Sequence, residues 1–370
     1  MLLIYRSHRP LPGFCLDAPE PSEVASRWLE VFAGALWRAR DGSCGFRLKS
    51  NFLLPSMAKY FCHRLLALIP VMAVVVTIVF LLIHLIPGDP AGVMLGPDAT
   101  PAQIEATRRA LGLDRPIHEQ LFKFYVRVLR GDLGQSYFLN RPVITALRER
   151  AEPTMVLTFA ALLVAVVIGV PSGVLAGASR GSWWDRTLMT GALLGVCIPG
   201  FWLSLNFIYL FAVRLRWLPA VGYISLFIDP LGTLRCMILP AVSLGFNQSA
   251  LIARIARSCM LEVLAQDYIR TARAKGLSQR VVVYVHAFRN ALVPVTTVIG
   301  ITTAILIGGA VVTEIVFNIP GLGRLIISAI LRRDYPVVQG VVLVTAASYV
   351  LINLAVDVVY AFIDPRIRYD

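Results

Sequence analysis

Six long apolar segments, separated by polar loops, constrain the fold of this chain more than any other feature. An α-helix needs roughly 20 apolar residues to cross the hydrocarbon core of a bilayer, which is about 30 Å thick. Segments of this kind occupy residues 65–86, 154–178, 187–212, 236–256, 292–313 and 338–362. Only 15% of the 370 residues are charged, against roughly 25% in soluble domains. The sequence therefore predicts an all-α integral membrane protein with six transmembrane helices.

Two of the predicted spans contain residues that a lipid-facing helix avoids. The third is interrupted by Cys197-Ile-Pro-Gly200, and the fourth contains Pro240 and the polar run Asn247-Gln-Ser249. Proline and polar side chains are tolerated within a bilayer when neighbouring helices satisfy the groups that they leave unpaired. We therefore expect these two helices to face protein or a transport pathway rather than lipid.

Basic residues indicate the orientation, because cytoplasmic loops carry an excess of arginine and lysine. The loop between the fourth and fifth spans is rich in them: Arg254, Arg257, Arg270, Arg273, Lys275, Arg280 and Arg289. This loop lies inside if both termini are cytoplasmic, although the external loops also carry arginines. The positive-inside bias explains the formal charge of +13, and membrane lipid is an expected partner. No dense basic block is present, so a nucleic-acid partner is not expected.

Residues 1–56 contain no apolar run long enough to span a bilayer. The preferred interpretation is an N-terminal extension that is not translated, with the natural start at Met57. The alternative is a genuine leader in which residues 28–37 lie on the membrane surface. The rest divides into a first transmembrane helix at 57–88, an external helical loop at 89–152, a transmembrane domain at 153–364 that includes a cytoplasmic loop at 258–290, and a cytoplasmic tail at 365–370.

The external loop contains two predicted helices. The first covers 101–111, with Thr100 as N-cap, Pro101 in the first turn and Gly112 as the stop signal. The second covers 117–129 and gathers its apolar residues on one face. Two interpretations stay open: a cap over the first transmembrane helix, or a docking surface for an external partner.

The cytoplasmic loop contains a short amphipathic helix. Apolar residues at 261, 264, 265, 268, 269 and 272 fall on one helical face. Gly276 suits a left-handed helix C-cap, and Ser278 can cap the helix that leads into the fifth span. Spacing alone fits two roles equally well, a docking helix for a partner protein or an interfacial helix resting on lipid headgroups.

Five groups of motifs are distributed along the chain. They are Asp267-Tyr-Ile-Arg-Thr-Ala-Arg-Ala-Lys-Gly-Leu277 with Asn290-Ala-Leu-Val-Pro294, His84-Leu-Ile-Pro-Gly-Asp-Pro90, Leu111-Gly-Leu-Asp-Arg-Pro116 with Gly131-Asp-Leu-Gly-Gln-Ser136, Glu314-Ile-Val-Phe-Asn-Ile-Pro-Gly-Leu-Gly323, and Asp364-Pro-Arg366. From Met57 onward the chain resembles the permeases of binding-protein-dependent ABC importers, in their dipeptide/oligopeptide branch. Residues 1–56 match nothing in that pattern, and Asp267 and Thr271-Ala272 replace the Glu-Ala-Ala of a broader one.

The resemblance implies a type I ABC importer permease fold in the bacterial inner membrane, with a small helical periplasmic insertion after the first span. Its implied partners are a second, homologous permease subunit, two ABC ATPase subunits and a periplasmic or extracellular solute-binding protein. The loop helix from Ala265 to Gly276 would sit in a groove of one ATPase, with apolar contact from Tyr268, Ile269 and Ala272. The residues expected to couple the two subunits are Ala265, Asp267, Tyr268, Ile269, Arg270, Thr271, Ala272, Arg273, Lys275 and Gly276.

No GxxxxGK[ST] motif occurs in the sequence. The chain is therefore expected to be a non-enzymatic subunit without a bound cofactor, and the partner ATPase would bind ATP and Mg. The six cysteines lack CxxC or metal-ligand spacing, so neither a metal site nor a disulfide is predicted.

The implied function is translocation of di- and oligopeptides by alternating access. Nickel complexes or other small solutes are alternative cargoes for the same class of transporter. An ion-coupled secondary carrier is the remote alternative, because such carriers are built on internal repeats and none is evident. Gly300, Ala304 and Gly308 form a small-residue face in the fifth span. The residues expected to line the pathway are Asn247, Gln248, Thr302, Thr303 and Gly308.

Overall fold

A computed structural model describes residues 66–81, 90–96 and 99–363. The bounds of the twelve helices found in these ranges are α1 Leu66–Leu81, α2 Pro90–Leu95, α3 Pro101–Leu111, α4 Ile117–Leu129, α5 Val143–Ala178, α6 Trp183–Cys197, α7 Gly200–Arg214, α8 Pro230–Leu264, α9 Asp267–Ala274, α10 Gln279–Val316, α11 Leu322–Leu331 and α12 Tyr335–Ile363. Two of them contain π-helical turns, at Ile208–Arg214 in α7 and at Val282–Ala287 in α10. The predictions for residues 1–56 and 365–370 lie outside the described ranges.

Four described helices are long and apolar enough to cross a membrane, namely α5, α8, α10 and α12. The pair α6 and α7 adds a fifth if the two count as one bent span. These five coincide with the second to sixth predicted spans. Of the first predicted span, 65–86, the described part is the shorter helix α1. The predicted boundary between residues 152 and 153 falls inside α5, because that helix begins at Val143 with polar turns that extend the apolar span.

Helices α5 and α8 form the closest packing in the described chain. Gly169, Gly173 and Gly177 recur every fourth residue along α5 and face α8. A Cβ atom added at Gly169 would lie 2.7 Å from the carbonyl oxygen of Ser249, and one at Gly177 would lie 2.6 Å from the Cβ of Met260. The two backbones are therefore in contact, as small residues permit between transmembrane helices. The predicted small-residue face on α10 is only partly correct: Gly300 packs closely on Val356, whereas a Cβ at Gly308 would meet no atom within 4 Å.

The third span is broken where the sequence predicted an interruption. Helices α6 and α7 are bent by 100° at Ile198 and Pro199. The carbonyl oxygen of Ile198 accepts a hydrogen bond from Nδ2 of Asn247, at 3.1 Å. Asn247 thus satisfies a backbone group that the break leaves without a helical partner, as expected for irregular backbone inside a membrane protein.

The two helices predicted between the first and second spans are found with the predicted ends. Thr100 and Gln103 form a reciprocal capping box at the start of α3, and Gly112 ends it with φ +70°. Helix α4 packs on α1: Oη of Tyr125 donates to the carbonyl of Ala73 at 2.6 Å, and the rings of Phe80 and Phe124 are 5.7 Å apart. This segment therefore covers the first helix, one of the two interpretations left open.

A buried carboxylate connects the turn after α4 to the start of α12. Asp334 accepts hydrogen bonds from the hydroxyl of Ser136 and from the backbone N–H of Tyr137. Ser136 and Asp334 are each only 3% exposed. Burial, together with the charge of Asp334, raises the pKa of Tyr137 to about 12. Ser136, the last residue of the Gly131–Ser136 motif, therefore holds this turn against the start of α12.

A second buried carboxylate, Glu314, organises the link between α10 and α11. Its Oε1 accepts from Oγ1 of Thr154 at 2.6 Å, and its Oε2 accepts from the backbone N–H of Arg324 at 2.9 Å. Thr154 in turn accepts from the N–H of Leu322 at 2.8 Å. Both N–H groups belong to the first turn of α11, where a helix has unpaired donors and favours negative charge. Gly321 passes directly against the carboxylate, where a side chain would not fit.

Candidate coupling loop and transmembrane path

The connection between α8 and α10 contains the short helix predicted from the sequence. Helix α8 ends at Leu264, Ala265 is its C-cap, and Gln266 is the N-cap of α9. The helix itself covers Asp267–Ala274, so it is shorter than the predicted segment from Ala265 to Gly276. Asp267 lies in its first turn and Arg273 in its last, which is the favourable arrangement of charges for the helix dipole.

Gly276 ends α9 in the manner predicted. Its φ angle is +78°, in the left-handed region. The N–H of Gly276 donates to the carbonyl of Arg273 at 2.9 Å, and that of Leu277 donates to the carbonyl of Ala272 at 3.4 Å. These two bonds are the Schellman pattern of a glycine C-cap. Ser278 occupies the N-cap position of α10, but its side chain makes no capping hydrogen bond.

The apolar face of α9 packs on the chain itself. Ile269 is fully buried and Ala272 is 8% exposed, and α9 contacts the π-helical turn of α10. Ile269 and Ala272, which were predicted to contact an ATPase, are therefore covered by this chain itself. Helix α9 therefore rests on that turn, in which Val282 and Val283 are themselves buried.

Tyr268 is the one residue of the expected apolar contact that lies at the surface, with 38% exposure. Its Oη accepts a hydrogen bond of 2.6 Å from Nδ2 of Asn290, which also donates to the carbonyl of His286 at 3.2 Å. Asn290 thus connects α9 to α10 and explains why the Asn290–Pro294 motif accompanies the loop motif. Sequence reasoning paired the two motifs without finding this bond.

The remaining predicted coupling residues form an exposed polar surface, which we name the loop surface. Besides Tyr268 it consists of Ala265, Asp267, Arg270, Thr271, Arg273, Lys275 and Gly276. The Arg270–Asp267 ion pair is 3.5 Å long and highly exposed, so it adds little stability. The loop surface carries three cationic side chains, Arg270, Arg273 and Lys275, and one carboxylate, Asp267. It is therefore positively charged and suits an acidic partner surface.

An ion pair that the sequence analysis missed holds the end of α8 that leads into this loop. Nε and an Nη of Arg257 donate to the two carboxylate oxygens of Asp185 at 2.6 and 2.9 Å. Asp185 also accepts from the N–H of Gly181 at 2.9 Å. The side chain of Asp185 is 6% exposed and that of Arg257 is 31% exposed. The sequence feature that could have pointed to this ion pair is the position of Asp185, three residues after Ser182, the serine that caps α6.

The five predicted pathway residues have different environments. Asn247 binds the backbone at the break between α6 and α7. Oγ1 of Thr303 donates to the carbonyl of Ile299 at 2.7 Å, as threonines in helices often do. Thr302 is fully buried, and its hydroxyl has no hydrogen-bond partner among the described residues. Gln248 is half-buried and Gly308 is exposed. These environments do not join the five residues into one polar lining. Within residues 66–81, 90–96 and 99–363, no three His, Cys, Asp or Glu side chains come together as metal ligands would.

Comparisons with known proteins agree with this architecture. A family model described as "Binding-protein-dependent transport system inner membrane component" matches residues 169–369, and the N-terminal model of the same systems matches residues 57–158. A Brucella abortus protein provisionally named a peptide transport system permease is 47% identical over 314 residues, which cover 85% of this chain and 100% of the relative. A glutathione transport system permease of Escherichia coli O6:H1 is 43% identical over 313 residues, with the same coverage.

A solved structure has the same fold. The inward-facing MetNI methionine ABC transporter matches with a TM-score of 0.50 and 21% identity, over 60% of this chain and 97% of that one. A likeness at this identity concerns the fold alone. It agrees with the type I importer permease fold expected from the sequence.

Proposed function

Because the chain belongs to the family of binding-protein-dependent transport system inner membrane components, we propose that it is the permease subunit of an ATP-driven peptide importer. The names of the relatives support the cargo: one is assigned to peptides and another to glutathione, which is itself a tripeptide. The alternative cargoes, nickel complexes and other small solutes, have no comparable support.

The observation that carries the proposal is helix α9, held between two spans with a polar, exposed outer surface. It is fixed to α10 by its buried apolar face and by the Tyr268–Asn290 bond. A force applied to the loop surface is therefore transmitted to α8 and α10 rather than absorbed by a loose loop. Such a connection is required if nucleotide-driven closure of a partner is to move transmembrane helices as rigid bodies.

The partners follow from the same proposal. Two ATPase subunits bind ATP and Mg and dock below, one of them on the loop surface through Asp267, Arg270, Thr271, Arg273 and Lys275. A second, homologous permease completes the passage, and a solute-binding protein delivers the peptide from outside. The loop surface is then cytoplasmic, as are both termini. Its excess of basic residues supports that orientation.

The test is uptake of a labelled tripeptide into vesicles that contain the complete transporter. Asp267→Arg puts a positive charge in the first turn of α9, where the helix dipole favours an acidic side chain, and Gly276→Pro removes the C-cap; both are expected to loosen α9 and to abolish uptake and co-purification of the ATPase. Glu105→Arg is the matched control, because it makes the same charge reversal at an exposed site of α3. Normal uptake in both loop variants would disprove the coupling role. Uptake of nickel complexes but not of peptides would disprove the cargo.

A further inference from the structure

The break between α6 and α7 lies at the middle of the bundle. Asn247, which binds the carbonyl of Ile198, is at the centre of the 35-residue helix α8. Farther along α7, Oγ of Ser204 donates to Oγ of Ser243 at 3.1 Å, so α7 continues along α8 toward the end of α8 that contains Pro230. Since α8 is long enough to cross the membrane, the break is about midway across it.

One side of the break is packed on protein and the other side is open. The packed side carries Asn247 and the buried residues Leu203 and Ser204. The open side, which we name the break surface, consists of the exposed residues Cys197, Pro199, Gly200, Phe201 and Trp202. Phe201 and Trp202 are each 51% exposed, and a Cβ atom added at Gly200 would meet nothing within 4 Å.

Lipid is a poor neighbour for the break surface. The first N–H groups of a helix have no partner within it, and Pro199, the N-cap of α7, provides no side-chain hydrogen bond to them. Hydrocarbon offers no hydrogen bonds, so irregular backbone at this depth is found only against protein or against water. The exposed face of α5 is different in this respect. Met155, Phe159, Leu163 and Val167 form an apolar stripe on the unbroken helix α5.

We propose that the break surface lines the water-filled passage between this subunit and its partner permease, at the middle of the membrane. The assignment rests on the proposed importer function. The proposed lining is a stretch with exposed backbone and two aromatic rings. It does not include Thr302 and Thr303, which the sequence predicted to line the pathway. Such a stretch offers hydrogen bonds and apolar contact without fixed charge, which suits peptides of varied sequence.

The experiment uses a charged, membrane-impermeant methanethiosulfonate on vesicles that contain the complete transporter, with peptide mass spectrometry of this chain. Cys197 is a native probe of the break surface, and the buried Cys259 is an internal control. Phe201→Cys adds a second probe. Val167→Cys is the matched control, because Val167 is 61% exposed but lies on the unbroken stripe of α5. We expect Cys197 and the Phe201→Cys thiol to react roughly ten-fold faster than the Val167→Cys thiol, because the thiolate is the reactive species and needs water to form. Peptide uptake should fall as Cys197 is modified.

Three results would overturn the assignment. If the charged reagent fails at Cys197 and at the Phe201→Cys thiol while N-ethylmaleimide reacts, the break surface faces lipid. If both reagents fail, the partner subunit covers it. If the Val167→Cys thiol reacts as fast as the others, exposure alone explains the labelling. ATP-dependent uptake by the same unmodified vesicles tests the importer function separately, so its presence beside an inert Cys197 rejects only the passage assignment.

Discussion

The carboxylate of Asp185 and the guanidinium of Arg257 form a two-point ion pair that joins the start of α6 to the end of α8. The two residues are 72 positions apart in the sequence. Arg257 lies about two turns before the end of α8 at Leu264. The pair therefore holds together the two helices that lead to the break and to the loop surface.

Removing either partner has unequal consequences, because Asp185 is buried and Arg257 reaches the surface. Arg257→Ala leaves a buried carboxylate without its counter-charge and should lower the free energy of unfolding by about 3 kcal/mol. Asp185→Asn leaves an arginine that can turn to water, and should cost less. Thermal unfolding of the purified chain, followed by tryptophan fluorescence, measures both. A larger loss in Asp185→Asn would contradict this account of the pair.

The glycine contacts between α5 and α8 predict a position-dependent cost of one methyl group. Gly173→Ala places a methyl group against the backbone of α8 at Ala253, and should destabilise the chain by roughly 1–3 kcal/mol. Gly308→Ala is the matched control within α10, where the new methyl group meets open space; it should stay within about 0.5 kcal/mol of the parent. Midpoints of thermal unfolding in detergent compare the two. Equal losses would mean that the α5–α8 contact is not close.

Thr154 is expected to matter for its hydroxyl rather than for its size. Thr154→Val keeps the shape but removes a donor to Glu314 and an acceptor for the N–H of Leu322. Leaving these buried groups unpaired should cost about 1–3 kcal/mol each. Thr154→Ser retains both hydrogen bonds and should retain most of the stability. The same unfolding measurement applies, and a Ser variant as unstable as the Val variant would point to packing as the cause.

The backbone of Gly276 provides a test of the helix cap without steric interference, because a Cβ atom there would meet nothing within 4 Å. The left-handed conformation costs an ordinary residue about 1–2 kcal/mol, and asparagine less. Gly276→Val should therefore loosen α9 more than Gly276→Asn. Hydrogen exchange of residues 266–278 reports the loosening, with peptide uptake as the functional measurement. Identical exchange in the two variants would argue against strain at this position.

Features that depend on neighbouring residues could be predicted from the sequence. The break at Pro199, the capping of α3 by Thr100 and the end of α9 at Gly276 all follow from proline, hydroxyl and glycine chemistry within a few residues. The five spans from α5 to α12 follow from length and composition.

Features that depend on which helices meet could not be predicted in this way. Of the apolar stripe predicted over residues 261–272, Ile269 and Ala272 form the buried face of α9, whereas residues 261 and 264 belong to α8. The spacing of Ile269 and Ala272 is the same whether they face a partner or their own chain. Asp185 and Arg257 are far apart in sequence, and only the packing of α6 on α8 brings them together. A clearer signal was available for α5, where Gly169, Gly173 and Gly177 repeat every four residues.

The arrangement around Glu314 has a consequence for how relatives of this chain are recognised. Glu314, Gly321 and Gly323 are the distinctive letters of the Glu314–Gly323 motif, and all three contribute to seating a carboxylate at the first turn of α11. The motif therefore reflects the packing at the corner of the bundle where α10 meets α11. A permease that contains the same motif is therefore expected to have the same packing at this corner, whatever solute it transports.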